Sequence, residues 1–449
     1  MPNETIRVFM IGSAKGGSGK STIALKLCVA LVEQPVNDLR TAIGNLRLTL
    51  GTLPASIDVD AVRVAIAELD PLITIPINED FISGRSKALK NARQKVIGAA
   101  KPIPALSALI KEFKTAADAV LRKVCLLDTD FTGTSWAYIF QNAIHYSLDH
   151  NSRTQLFDLP GAAPADYSHL PYMNRLVRDW DGWGRRHQLT LDLFVQPYKL
   201  GVPDNNPIVI PSIICSPAEA EKAAFRPSLD VSSPALSIDL FRFNVLKLLR
   251  KLVEDGFRDF VMDMPPGTES FADALQNIFT STATAFNEKM QPEKTHTWQS
   301  YLYLVSSTDR SHVGATYDRL VELVQHSPIT RDFSGGGSSP LQQIRMVIND
   351  MTDLEGREEG RGGVRNKGRL LEFSQTEAEA LNGHRDIRDH INGTRSMSCV
   401  KITQHLVSFD LAHQQARNSH IYNLDKGRTT PNTVAIQRLD DPVAMIAHK

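Results

Sequence analysis

Residues 8–27, VFMIGSAKGGSGKSTIALKL, constrain the fold of this chain more than any other stretch. The β-rich run Ile6-Arg7-Val8-Phe9-Met10-Ile11 stops at Gly12 and predicts a buried strand. From Ser21 onward, Ile23, Ala24, Leu27, Cys28, Ala30 and Leu31 fall at helical spacing, and the helix is expected to fade near Pro35. Between them, Gly16, Gly17 and Gly19 let the backbone curl so that successive N–H groups, Ser18 among them, point at one anion. The helix that follows adds its positive N-terminal end. In such a phosphate-binding loop Lys20 reaches the β- and γ-phosphates and the Ser21 hydroxyl binds Mg²⁺. Lys15 adds a second lysine that one nucleotide does not need.

Strand-like runs recur downstream. Val124–Leu127 ends in Asp128-Thr129-Asp130, Phe260–Met262 in Asp263-Met264-Pro265-Pro266-Gly267, Tyr301–Val305 in Ser306-Ser307-Thr308-Asp309, and Ile344–Ile348 in Asn349-Asp350. Each is nearly continuous in apolar residues, as parallel strands covered on both faces are. Each ends in polar residues, where open α/β sheets hold their ligands. Helical periodicity over 240–254 and 312–325 alternates with these strands. The expected fold is therefore α/β, with a doubly wound, mostly parallel sheet of the phosphate-loop NTPase type.

Two long segments interrupt that plan. Residues 1–34 supply the first strand, loop and helix. Residues 35–120 read as a helical insertion, because a simple crossover needs only about a dozen residues. The core resumes at 121–135. Residues 136–237, rich in Pro, Trp and Tyr, read as a second insertion of irregular pattern, and 238–449 complete the core. By composition, 331–340 is a flexible linker and 355–369 a charged surface loop.

Composition bounds the function. Lys plus Arg total 50 and Asp plus Glu total 50, so global charge draws the chain to neither nucleic acid nor anionic membrane. No run of about 18 apolar residues exists, so no transmembrane segment is expected. The N-terminus lacks the pattern of a signal peptide. Cys28, Cys125, Cys215 and Cys399 form no CxxC pair, which suits a reducing cytoplasm and gives no support to a zinc or iron–sulfur site.

Asp263 ends a hydrophobic strand, the place of the carboxylate that holds Mg²⁺ directly or through water in a phosphate-loop NTPase. Asp128 and Asp130 lie one residue apart and point to opposite faces of a strand, and Asp130 lies farther out on the loop.

Together these motifs resemble the deviant Walker A ATPases of the MinD/ParA family. Residues Lys15 to Thr22 are similar to that family's phosphate loop, and Leu126 to Asp130 to its switch I motif. Val261 to Thr268 resembles its Walker B and switch II, in the Pro-Pro-Gly-Thr form of the MinD and Mrp branches. Val347 to Asp350 resembles the strand whose asparagine, here Asn349, reads adenine. Residues 400–402 with 409–416 resemble its last strand and helix. All five segments come in the family's order and cover about a third of the chain.

The resemblance implies an ATP- and Mg²⁺-dependent hydrolase that forms a homodimer around ATP. Lys15 would cross to the partner's nucleotide while Lys20 serves its own, and Asp130 would position the attacking water. A protein partner would stimulate hydrolysis, and the cycle would position or segregate a cargo. The chain departs from the family in its two insertions and in Phe131-Thr132-Gly133-Thr134, where ParA proteins carry a proline–glutamine-like pair. Residues 430–449 do not form a convincing membrane-targeting amphipathic helix. Two other readings stay open at this level: an ATP-binding dimeric scaffold with little turnover, and an ATP-dependent transferase or ligase on the same fold.

Two further features carry weaker signals. Trp180, Trp183, Arg185, Arg186 and His187, in WDGWGRRHQ, could stack on a base, although a tryptophan-anchored turn is commoner. Arg357, Arg361, Arg365, Lys367 and Arg369 could touch DNA non-specifically, but Glu355, Glu358 and Glu359 offset much of that charge.

Overall fold

A computed structural model describes residues 4–74, 85–133, 136, 144–145, 154–155, 170–186, 189–199, 202–203, 208–216, 218–225, 236–267, 273–276, 278, 296–307, 312, 315–316, 319, 341–349 and 434–437. The first strand, β1 (Glu4–Ser13), leads through the glycine loop into a long helix, α1 (Lys20–Thr52). Three helices follow: α2 (Asp60–Thr74), α3 (Arg85–Ala100) and α4 (Ser107–Val120). The chain returns to the sheet as β2 (Lys123–Asp128). Next come a two-stranded ribbon, β3 (Ile144–His145) with β4 (Thr154–Gln155), and the strands β5 (Leu191–Lys199), β6 (Val202–Pro203) and β7 (Ile208–Ile213). Helix α5 (Ile238–Glu254) leads to β8 (Phe257–Pro266), followed by β9 (His296–Ser307), β10 (Leu341–Asn349) and β11 (Val434–Gln437).

Among the described residues the main sheet runs β10-β9-β1-β8-β2-β7-β5-β11. The six strands from β10 to β7 are parallel, and β5 turns antiparallel to β7. The fold is α/β with a mostly parallel sheet, as expected from the apolar runs. Strand β1 sits centrally, between β8 and β9. Ile11 of β1 and Asp128 of β2 both pair with Asp263 of β8, so the C-terminal ends of three strands are level.

Alternation along β1 divides the core in two. Ile6, Val8 and Met10 face a cluster with Cys125, Leu127, Phe260 and Met262, closed by Phe241, Val245, Leu248, Leu249 and Leu252 of α5. Phe9 and Ile11 face the other way, onto Val124, Leu126, Val261 and Tyr303, covered by Ile23, Leu27, Cys28 and Leu31 of α1. Both faces of the sheet are therefore dry, which is why its strands read as continuous apolar runs.

Two segments differ from expectation. Helix α1 does not end near residue 34 but runs through Pro35 to Thr52. A proline inside a helix removes one backbone bond and costs about 3 kcal/mol or more. Packing outweighs it: Leu39, Ile43, Leu46 and Leu50 beyond the proline join Val62, Ile66 and Leu69 of α2, Leu89 and Val96 of α3, and Phe113 and Ala117 of α4 in a third hydrophobic core. At about 0.8 kcal/mol per buried CH₂, the four long side chains of α1 alone exceed that cost. The first segment thus has a helical core of its own, continuous with the helix that starts at the phosphate loop. The second, 136–237, is less irregular than its composition suggests. Strands β5 and β7 extend the main sheet beyond β2, and every residue of β7 is buried. The 331–340 linker, the 355–369 loop and the 400–416 strand and helix lie outside the described residues.

Candidate functional site

The site gathers at the C-terminal ends of β1, β8 and β2. Gly17 and Gly19 adopt φ of 79° and 85°, a left-handed conformation that side chains disfavour, so glycine here is a backbone requirement. Gly19 caps α1 without a side-chain hydrogen bond, and no acidic residue lies in the first turn of the helix. The first-turn N–H groups of α1 are thus left for an anion. Lys15, Gly16 and Gly17 are exposed on the loop, Ser18 is buried, and Thr22 lies in the first turn.

The loop is held to β8. The Ser13 hydroxyl donates to the Lys15 carbonyl at 2.7 Å, and the Gly267 N–H donates to the Ser13 carbonyl at 2.8 Å. Gly267 has φ of 82°, so the Pro265-Pro266-Gly267 turn closes directly on the loop. From β2, Thr129 donates through both its N–H (2.9 Å) and its hydroxyl (2.8 Å) to the Asp263 carbonyl. Three strand ends are thereby tied around Asp263.

The Asp263 side chain is almost completely buried and asymmetrically partnered. Its Oδ2 accepts from the Ser21 hydroxyl at 2.5 Å and from the Trp136 indole Nε1–H at 2.7 Å. Its Oδ1 is buried with no hydrogen-bond partner among the described residues. Burial pushes the Asp263 carboxyl up to about 6. The charge of Lys20 and the Ser21 hydroxyl oppose the rise, Asp130 adds to it, and Trp136 opposes it. Lys20 is itself buried, an arrangement stable only if negative groups surround its ammonium.

Asp128 and Asp130 divide as their alternation suggests. Asp128 is turned inward, where its Oδ2 accepts from the Cys215 N–H at 2.9 Å and its Oδ1 from the Asp130 N–H at 3.1 Å. Burial raises its carboxyl well above the usual carboxylate range, with Asp263 and Asp130 adding to the effect. Asp130 is half-buried on the turn, and its carbonyl accepts from the Gly133 N–H at 2.9 Å. Burial raises its carboxyl too, against the pull of Lys20. A Cβ at Gly133 would lie 2.5 Å from the Asp130 carboxylate, so that glycine leaves room for the acid.

Two carboxylates, Asp263 and Asp130, thus feel the charge of one buried lysine, and Asp128 lies beside them. An orphaned oxygen on a carboxylate whose other oxygen accepts from a hydroxyl suits a hard divalent cation that takes oxygen ligands and completes its shell with phosphate and water. Asp263 Oδ1 and the Ser21 hydroxyl oxygen fit Mg²⁺ on these grounds.

Asn349 ends β10 and pairs in register with Ser307 of β9, two strands from β1 on the side away from β8. Sequence reasoning missed Trp136 and the Cys215 amide. Both act across long separations, |i−j| of 127 to Asp263 and 87 to Asp128, that no local pattern encodes.

The tryptophan cluster is an anchored turn. Arg175 lies over Tyr172 and Trp183, with its guanidinium carbon 5.1 and 4.8 Å from the ring centroids, and Arg186 lies over Trp183 at 4.4 Å. Arg175 also pairs with Glu221 at 2.5 Å, and Asp179 accepts from the Gly182 N–H at 3.0 Å. Two guanidinium groups thus lie over the Trp183 ring, which is only partly buried. His187 lies outside the described residues, as does the arginine-bearing 355–369 loop. Cys28, Cys125 and Cys215 are free and buried, and burial raises all three thiols. Among the described residues no helix is long and apolar enough to cross a membrane.

No protein-family model matches the chain, and no curated protein sequence matches it. Among solved structures the chain is similar to one described as a plasmid partition protein from Borrelia burgdorferi B31 bound to AMPPNP. The identity is 10%, the TM-score 0.30, and the match covers 95% of this chain and 94% of that one. A likeness this distant carries no functional argument, and the reading below rests on the site itself.

Proposed function

We propose that the chain is a Mg²⁺-dependent ATPase that works as an ATP-driven dimerisation switch. The observation that carries this reading is the buried, partnerless Oδ1 of Asp263 beside the Ser21 hydroxyl and the buried Lys20, at the foot of a glycine loop that opens a helix. Gly16 to Thr22 cradle the phosphates with backbone N–H groups, and Lys20 places its charge on the β- and γ-phosphates. Ser21 and Asp263 hold Mg²⁺, which supplies Lewis-acid neutralisation of the phosphate oxygens. Asp130, on a turn that Gly133 leaves free, orients the attacking water. Asn349 offers a donor and an acceptor to the adenine edge.

Lys15 supports the dimer. It is exposed at the loop entrance and has no role toward its own nucleotide, which Lys20 already serves. In a homodimer closed on ATP it neutralises phosphate charge on the partner's nucleotide, so only the triphosphate closes the interface. A protein partner then stimulates hydrolysis, and the dimer opens. The cytoplasm is the compartment that suits such a cycle.

Light scattering after gel filtration, with phosphate release measured alongside, tests this. Wild type is expected to dimerise in ATP and Mg²⁺. Lys15→Ala is expected to keep ATP binding but to lose dimerisation and most turnover, at a cost on the order of 2–5 kcal/mol per buried charge contact. Asp130→Ala is expected to keep the dimer and block hydrolysis. A wild type that stays monomeric in ATP, or a Lys15→Ala that behaves like it, contradicts the switch. A dimer that binds ATP without turnover identifies a scaffold instead.

A further inference from the structure

We propose that Trp136 is a positioning residue for the cation: its indole N–H fixes the Asp263 carboxylate so that Oδ1, and not Oδ2, faces the metal. The inference rests on the Mg²⁺ site proposed above.

Asp263 Oδ2 already has two donors, the Ser21 hydroxyl at 2.5 Å and Trp136 Nε1–H at 2.7 Å, while Oδ1 has none among the described residues. Without the indole, Ser21 alone would orient the carboxylate, and rotation about the Cβ–Cγ bond would exchange the two oxygens. With it, one oxygen is saturated by two neutral donors, and the other, buried with no hydrogen-bond partner among the described residues, is the one left for the metal. The same hydroxyl that donates to Oδ2 keeps its lone pairs for the cation, so Ser21 and Asp263 act as one ligand unit. Groups that hydrogen-bond to metal ligands in this way typically control metal affinity by about 10- to 100-fold.

The position of Trp136 in the chain adds a second consequence. It follows Asp130 by six residues, on the segment that leaves β2, while Asp263 belongs to β8. Trp136 belongs to the same buried cluster as Leu170, Tyr172 and Leu191, the first residue of β5. Its hydrogen bond therefore ties Trp136, six residues beyond Asp130, to the metal carboxylate. Cation occupancy and the placement of Trp136 become linked through a single contact. A buried indole N–H usually finds an acceptor. A purely structural role would be satisfied by any acceptor and would leave metal affinity unchanged.

Trp136→Phe in the full chain keeps the ring and removes the donor. Binding of a fluorescent ATP analogue is measured in EDTA and then across a Mg²⁺ titration. The expected result is metal-free affinity within about twofold of wild type and a Mg²⁺ half-saturation raised by about 10- to 100-fold. An unchanged half-saturation overturns the proposal, and so does an equal loss with and without metal, which marks a packing role alone. A wild type that binds no nucleotide overturns the phosphate-loop reading and this role with it. If Trp136→Phe does not fold, wild type labelled with 5-fluorotryptophan gives a second test, with four indole signals. One signal is expected to broaden selectively when Mn²⁺ is added to the nucleotide complex and to shift with Mg²⁺. Four signals that ignore both ions overturn the proposal.

Discussion

Asp259 and Asp263 lie four residues apart on β8, on the same face of the strand, and each is 1% exposed. Asp259 meets two arginines. Arg7 grips it through a fork, with Nε to Oδ1 at 2.7 Å and a second nitrogen to Oδ2 at 2.9 Å, and Arg122 adds contacts of 2.6 to 3.2 Å. Arg122 also donates to the Thr5 and Arg258 carbonyls, which pins the start of β2 to β1 and β8. Burial alone would raise the Asp259 carboxyl, but Arg7 and then Arg122 outweigh it and hold the value at about 2. Asp263 accepts hydrogen bonds from a hydroxyl and an indole instead, and burial outweighs the nearby charge of Lys20 and leaves it at about 6. The two ends of the strand therefore serve different purposes. The N-terminal end carries its countercharges in the chain and is complete. The C-terminal end has neutral donors on one oxygen and, among the described residues, no hydrogen bond on the other, with Lys20 as its nearby charge, and a second cation would complete it.

The largest expected effect falls at the complete end. Asp259→Ala leaves two largely buried guanidinium groups uncompensated and is expected to cost 3–5 kcal/mol, on the order of other broken buried pairs. Urea unfolding at pH 7 checks this, and a cost below about 1 kcal/mol would make the cluster an ordinary surface pair.

The next effect has the opposite sign. A carboxyl raised from about 4 in the unfolded chain to about 6 favours the neutral form in the fold. Its penalty is absent below about pH 4, grows between pH 4 and 6, and is complete above. Asp263→Asn is therefore expected to stabilise the nucleotide-free protein at pH 8 by up to about 3 kcal/mol, and by almost nothing at pH 4, while removing Mg²⁺-dependent ATP binding. The variant should melt higher than wild type at pH 8 and not at pH 4. Equal melting at both would erase the contrast between the two acids.

Asp259 behaves conversely. Its depressed carboxyl contributes stability that is complete above about pH 4 and is lost as pH falls toward 2. The smallest effect sharpens that end. Arg7→Lys keeps the charge but loses the fork, and is expected to cost about 1 kcal/mol. It should also narrow the acid-induced loss between pH 4 and 2.

The sequence made one of these ends legible and not the other. The strand, glycine loop and helix of residues 6–31 follow from period and turn chemistry, and Asp263 was marked by the apolar run before it and the Pro-Pro-Gly after it. Asp259 gave no such signal, because its partners Arg7 and Arg122 lie 252 and 137 residues away. Trp136 was hidden for the same reason. Pro35 misdirected the end of α1, since local cost is visible in a sequence and the packing of Leu39 to Leu50 that outweighs it is not. Pro197 and Pro211 likewise disguised β5 and β7, whose strand character comes from the sheet they extend.

The central claim is that the C-terminal end of β8 is one cation short of complete and that Mg²⁺ with ATP supplies the rest. Thermal unfolding of the full chain at pH 8 tests it most directly, with ATP in EDTA, Mg²⁺ alone, and ATP with Mg²⁺. The expected result is a rise with ATP and Mg²⁺ together that clearly exceeds the rise with ATP in EDTA, equivalent to about 2.7 kcal/mol at ligand 100-fold above its dissociation constant, no rise with Mg²⁺ alone, and none in Lys20→Ala. A melting temperature that ATP with Mg²⁺ leaves unmoved, or one that moves equally in Lys20→Ala, would contradict it.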